Sequence, residues 1–251
     1  METDNSKGHE ITRLFHISHG GNNLHVGFIL KIVEEMKLAW CPETAAKAYI
    51  DTVELCGVCN DSGIAELVSS MAAGWNASFI VEAWSHGGGT ATSMGLTVAC
   101  RHTNGRHVCI VPDERSRLEY VKVLEVAGMS PEVIVGEPEE LMSGLNGIDF
   151  LVVDSQQNRF SRVLKLAKLS NKGAVMVCKN TNSRSASSFS WRNVVYDGSH
   201  WLIRSIFLPV GEGLDIAHVG SCAGNSSSRE GKRRWIKLVN RRTGDEFAIR
   251  K

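Results

Sequence analysis

Short apolar runs at Ser78–Ala83, His107–Val111, Glu132–Val135, Phe150–Val153 and Ala174–Cys178 recur between segments of helical period. Most of these runs lack polar alternation, so both faces of each strand are expected to be buried. The intervening segments, Thr90–Cys100, Arg115–Ala127, Pro138–Ser143 and Arg159–Leu169, suit helices that cover those faces. This text predicts a doubly wound α/β domain with a mostly parallel, Rossmann-like sheet. Two more helices are expected ahead of it. Pro42–Val53 starts with proline, and Ile64–Ala73 follows the turn-forming Asn60-Asp61-Ser62-Gly63 and closes at Gly74.

Beyond Asn180 the helical period stops. Trp201–Leu208, Leu214–Val219 and Trp235–Val239 read as strands, predicting an antiparallel pair or trio that closes the sheet. The Ser-rich Asn182–Ser190 is expected to be a loop, and the Ser/Gly run at 221–231 a flexible hairpin tip. Residues 1–35 are polar and hold no lasting period, so they are expected to be a flexible N-terminal extension. A single domain is then expected over 36–251, a length that buries one sizeable core.

Composition narrows the classes of function. No run approaches the roughly 18 apolar residues of a membrane span, and no secretory leader is read at the N-terminus. Seven cysteines, at 41, 56, 59, 100, 109, 178 and 222, form no disulfide framework. They fit reduced thiols in a cytoplasmic protein, and a nuclear one equally. Cys56-Gly57-Val58-Cys59 is a lone pair and does not specify zinc, while His16, His19 and His25 read as solvated. Net charge is +1, although Arg229–Lys251 holds nine Lys/Arg against three Asp/Glu. That basic end reads as the solvated face of a final strand, and no nucleic-acid motif accompanies it.

Chemistry is concentrated in Ile80-Val81-Glu82-Ala83-Trp84-Ser85-His86-Gly87-Gly88-Gly89-Thr90. In a doubly wound sheet, ligands collect at the carboxyl ends of strands, where helix N-termini present N–H groups. Asp113 ends the next strand, at the usual place for a carboxylate that accepts from ribose hydroxyls. The spacing suits a nicotinamide or a methionine-derived nucleoside, while the glycines alone could serve only a sharp turn. His86-Gly87-Gly88-Gly89 matches the oxyanion loop of esterases, but no Gly-x-Ser-x-Gly elbow follows. The nicotinamide pattern also fails, because Thr92 stands where a third glycine belongs.

Several segments together resemble the class I S-adenosylmethionine-dependent methyltransferases, in their caffeoyl-CoA and catechol O-methyltransferase branch. Glu82 with Gly88, Ala127-Gly128-Met129, Gly136-Glu137-Pro138, Ile148 to Asp154, Lys172 to Val175 and Leu208-Pro209-Val210-Gly211-Glu212-Gly213 carry that likeness, over roughly Gly74 to Gly220. More closely, the chain resembles a plant family of unknown function assigned to the same superfamily. Trp40 to Ala45, Met71 to Ala77, His107 to Glu114 and Asp215 to Val219 carry that match, which begins near Met36.

The resemblance implies a seven-stranded sheet with antiparallel C-terminal strands and S-adenosylmethionine as cofactor. It places Glu82, Ser85, Gly87, Gly88, Asp113 and Glu137 on that cofactor, and Asp154 and Lys179 in catalysis on a small acceptor. It also admits a homodimer. Two departures matter. Trp84 stands where the superfamily has a loop glycine beside the cofactor's methionine part. Lys179 stands between Asp154 and Asn180 where metal-dependent members carry a second aspartate. An ammonium in an oxygen-ligand ring repels a divalent cation, so metal is expected to be lost. Lys179 is then expected to pair with Asp154 and to be available as a base. The same two departures leave open a catalytically degenerate binding or regulatory module.

Overall fold

The computed structural model describes residues 40–56, 63–85, 87–157, 159–181, 189–195, 199–221, 235–239 and 246–250. The expected extension at 1–35, Cys59, the loop at 182–188 and the hairpin tip at 222–231 lie outside the described residues.

Two helices, α1 (Pro42–Cys56) and α2 (Ile64–Gly74), come first. Strands and helices then alternate as β1 (Phe79–Ala83), α3 (Ala91–Thr103), β2 (Arg106–Val111), α4 (Glu114–Val126), β3 (Glu132–Val135) and α5 (Pro138–Leu141). The series continues with β4 (Asn146–Ile148), β5 (Phe150–Asp154), α6 (Phe160–Leu166), β6 (Lys168–Leu169), β7 (Ala174–Lys179) and α7 (Arg192–Val195). Then come β8 (His200–Leu208), β9 (Leu214–Ser221), β10 (Trp235–Val239) and β11 (Glu246–Arg250). Seven strands form the main sheet in the order β3-β2-β1-β5-β7-β9-β8. The strands from β3 to β7 pair in parallel, and β9 lies antiparallel to both β7 and β8. The winding direction reverses between β1 and β5, which makes the carboxyl edge there the crevice of the fold.

Both faces are covered because side chains alternate along each buried strand. Ile80, Val152, Val175 and Val177 join Ala65, Val68, Ala72 and Leu96 of α2 and α3 in one core. Val81, Leu151, Val153 and Met176 join Phe160, Val163 and Leu164 of α6 in the other. The buried Asp149 pins the start of β1, its carboxylate accepting from Ser78 N and Phe79 N at 2.9 Å each and from Ser78 Oγ at 2.6 Å. That anchor fixes the β1–β5 register on which the edge depends.

The helix pair α2–α3 is set by one glycine. A Cβ on Gly95 would lie 2.5 Å from the Ala65 carbonyl oxygen. Alanine would favour the helix by about 1 kcal/mol, yet overpacking costs about 1–3 kcal/mol. Gly95→Ala is therefore expected to lower stability in a denaturant titration, and a gain would show that the helices part easily.

Two sequence expectations need correction. The helix expected over 159–169 ends at Leu166, because Lys168 and Leu169 pair with Asn146 and Ile148 in a small parallel sheet. The option of an antiparallel trio also fails. Trp235–Val239 pairs with Glu246–Arg250 in a separate two-stranded sheet, so among the described residues β8 and β9 alone close the main one. Among the described residues, no helix is long and apolar enough to cross a membrane.

Candidate functional site

Five parallel strands deliver their carboxyl ends to one edge. Ser85 and Gly87 to Gly89 follow β1, Asp113 follows β2, Gly136 and Glu137 follow β3, Ser155 to Gln157 follow β5, and Asn180 follows β7. The loops are tied together through Asp154, whose side chain is nearly enclosed. Its Oδ2 accepts from Ser85 Oγ and Asn180 Nδ2, both at 2.9 Å, and its Oδ1 accepts from Gln156 N at 2.9 Å. Gln157 Nε2 donates to the Trp84 carbonyl at 3.0 Å, and Ser155 Oγ donates to the Asn180 carbonyl at 2.5 Å.

Lys179 does not join this group. The expected pairing with Asp154 is wrong, for a reason of register and reach. Asp154 and Lys179 are direct partners across β5 and β7, but the lysine side chain continues over β5 to β1. Its Nζ lies 3.7 Å from Glu82 Oε1, the lysine stem and the glutamate side chain together bridging the two strand spacings of roughly 4.8 Å each. Asp154 is already satisfied by three donors, while Glu82 is fully buried and needs a cation.

His107 completes the buried charge cluster, with Nε2 at 3.7 Å from Glu82 Oε2 and Nδ1 at 3.2 Å from Thr97 Oγ1. Burial by itself would raise the Glu82 pKa, but His107 and the Lys179 charge outweigh it and hold the carboxyl below its ordinary value. Burial pushes the Cys109 thiol and the Tyr120 hydroxyl well up, so both stay protonated at neutral pH. His107 was not anticipated as part of the site. The signal was available: Glu82, His107, Cys109 and Lys179 fall on one face once the strands are in register, and buried charges require partners.

Trp84 roofs this cluster. It is 1% exposed and meets Tyr120 edge-on, with ring centroids 5.7 Å apart. Gly88 folds back over the indole. Its N–H donates to the Ser85 carbonyl at 2.8 Å, and an added Cβ would lie 2.8 Å from that oxygen and 3.3 Å from Trp84 Nε1. Gly87 has φ +74° and space on its outer side. The two glycines therefore have different tasks: Gly87 supplies a left-handed turn, and Gly88 permits close approach over a tryptophan.

The remaining predicted residues lie in the open. Asp113 is exposed and caps α4, accepting from Ser116 N at 2.7 Å through Oδ1. Glu137 is exposed at the start of α5, just after Gly136 with φ +146°. The edge thus fits the two ends of an adenosyl cofactor unequally. Exposed carboxylates stand on the β2–β3 side, where ribose hydroxyls and an adenine amine would find acceptors. On the β1 side an indole fills the loop and the nearest carboxylate is sealed beneath it. At the expected metal positions Asp154 faces three donors, and the ammonium expected beside it lies against Glu82 instead. No group of three or more His, Cys, Asp or Glu among the described residues has metal-holding geometry.

Solved structures that align with this fold include methyltransferases. One from Geobacter sulfurreducens aligns with TM-score 0.51 and 17% identity, covering 76% of this chain and 96% of its own. The SAH-bound Podospora anserina methyltransferase aligns with TM-score 0.50 and 13% identity, covering 82% and 99%. The sheet is that of the methyltransferase fold. Comparison with curated proteins finds no match. Residues 36–251 match the family described as a protein of unknown function, DUF1442, and the chain belongs to that family.

Proposed function

We propose that this chain is an S-adenosylmethionine-dependent methyltransferase that acts on a small acceptor without a metal. The observation that carries the reading is the placement of exposed Asp113 and Glu137 on the carboxyl ends of adjacent strands, beside the glycine turn at the switch point. Asp113 would accept from the ribose hydroxyls and Glu137 from the adenine amine, with Gly87 allowing the backbone to approach. The cofactor supplies an electrophilic methyl group on a sulfonium centre. The Asp154–Ser85 pair orients an acceptor hydroxyl or amine, because a hydroxyl donating to a buried carboxylate keeps its own oxygen available as an acceptor. Lys179 is committed to Glu82 and acts through the fold, not as a base. The buried free thiols Cys100, Cys109 and Cys178 support a reducing, cytoplasmic setting.

A second reading, a degenerate binding module, is favoured by one observation, the burial of Trp84 in the loop. Calorimetric titration with S-adenosylhomocysteine separates the two, and a dissociation constant weaker than about 1 mM would sink the enzyme reading. Binding with labelled methyl transfer to phenolic or amine acceptors selects the enzyme, and binding without transfer selects the module.

Metal independence has its own readout. A cation bound only to the native state would stabilise it by about 2.7 kcal/mol at a hundredfold excess over its dissociation constant. Magnesium, calcium, manganese and zinc are expected to leave the thermal melt unchanged. Saturable stabilisation that Asp154→Ala abolishes would refute the metal-free reading.

A further inference from the structure

The amino-acid tail of an adenosyl cofactor is a zwitterion at neutral pH. A site that reads the tail needs an accessible anion for its ammonium. Beside the β1 loop, the described residues offer Glu82 and Asp154. Glu82 is fully buried and lies 3.7 Å from both Lys179 Nζ and His107 Nε2. Asp154 accepts from Ser85, Asn180 and Gln156. Glu82 is sealed in the core, and both oxygens of the enclosed Asp154 already accept from donors of this chain. Trp84, 1% exposed, closes the floor between Glu82 and the turn, and Gly88 is packed down against it.

From this geometry we infer that the site recognises its ligand through the nucleoside alone, and that Lys179 supplies from within the chain the ammonium that Glu82 would otherwise take from a ligand. The ligand class is an adenosine nucleoside with a small 5′ thioether or sulfonium group, for which an amino-acid tail adds no recognition. The inference rests on the proposed adenosyl site. Three features of the edge support it together. Glu82, the carboxylate nearest the turn, meets the Lys179 ammonium from β7 and the His107 ring from β2. The indole fills the volume above it. The exposed carboxylates, Asp113 and Glu137, stand on the nucleoside side. The first turn of α3 has N–H groups that could meet a tail carboxylate. An ammonium brought in beside it, without an anion to face, offsets that gain.

The test compares S-adenosylhomocysteine with 5′-methylthioadenosine, the same nucleoside thioether without the amino-acid group, by calorimetry on the full chain. A hydrogen-bonded ammonium–carboxylate contact is worth about ten- to a hundredfold in affinity, so a site that reads the tail separates the two ligands clearly. The expected result is that they bind within about tenfold of each other, and that Asp113→Ala weakens both by the same factor. A preference for S-adenosylhomocysteine beyond about tenfold overturns the inference and leaves the proposed function standing. Failure of both to bind overturns the proposed function, and the inference with it. Unequal losses in Asp113→Ala also overturn it, because the aspartate would then be acting through the tail.

Discussion

Replacement of Glu82 by glutamine is expected to lower the free energy of unfolding by about 3–5 kcal/mol, the usual cost of removing one member of a buried ion pair. The Lys179 side chain is 8% exposed, so the loss of its anion leaves an ammonium in the core without a counter-ion. The double variant Glu82→Gln, Lys179→Met should recover much of the loss, because it removes the stranded ammonium as well. Urea titrations followed by fluorescence and circular dichroism would measure both effects. Glu82 also gives the acid limb its sign. Its folded-state pKa is depressed below the ordinary glutamate value of 4.5, so its contribution is present above that pH. The contribution is lost as pH falls through the lower folded value. The variant should show a flatter stability profile in that acid window. A loss under about 1 kcal/mol at neutral pH would mean that Lys179 leaves for solvent, as an exposed pair does.

Trp84→Ala is the second large effect, at about 3–5 kcal/mol for truncating an enclosed tryptophan. The indole packs on Tyr120 and under Gly88, so its removal opens a void that the tightly turned loop cannot fill. Trp84→Phe should cost much less, since it keeps an aromatic body and deletes an indole N–H that has no hydrogen-bond partner in the structure. If alanine costs less than about 1 kcal/mol, the tryptophan is not part of the core. The alternative, an indole that swings out to stack on a base, would then gain support.

Most of the strand–helix alternation was legible because buried parallel strands announce themselves as apolar runs between amphipathic segments. The bounds of β3 at Glu132–Val135 and β10 at Trp235–Val239 agree with the sequence reading to the residue. The short pieces β4, β6 and α7 were not legible. A strand of two or three residues has no period, and its pairing is decided by which neighbour reaches it. The same limit explains β10, whose strand character was plain but whose partner was not.

At the site, the sequence by itself determined the inventory. It placed Glu82, Trp84, Ser85, the glycines, Asp113, Glu137, Asp154, Lys179 and Asn180 at strand ends, because hydrophobic runs fix where strands stop. It also marked Trp84 and Lys179 as departures from the pattern the chain resembles. Which of these residues face one another was decided only by tertiary structure. Adjacent position in the register favours Lys179 with Asp154, and a sequence offers no stronger guide. The folded chain instead sets a satisfied carboxylate at the edge against an unsatisfied one sealed in the core, and the long lysine stem crosses a strand to reach the second. Desolvation made that choice. The cost of leaving Glu82 without a cation depends on burial, and burial is a property of the packed sheet and its helices rather than of any stretch of sequence.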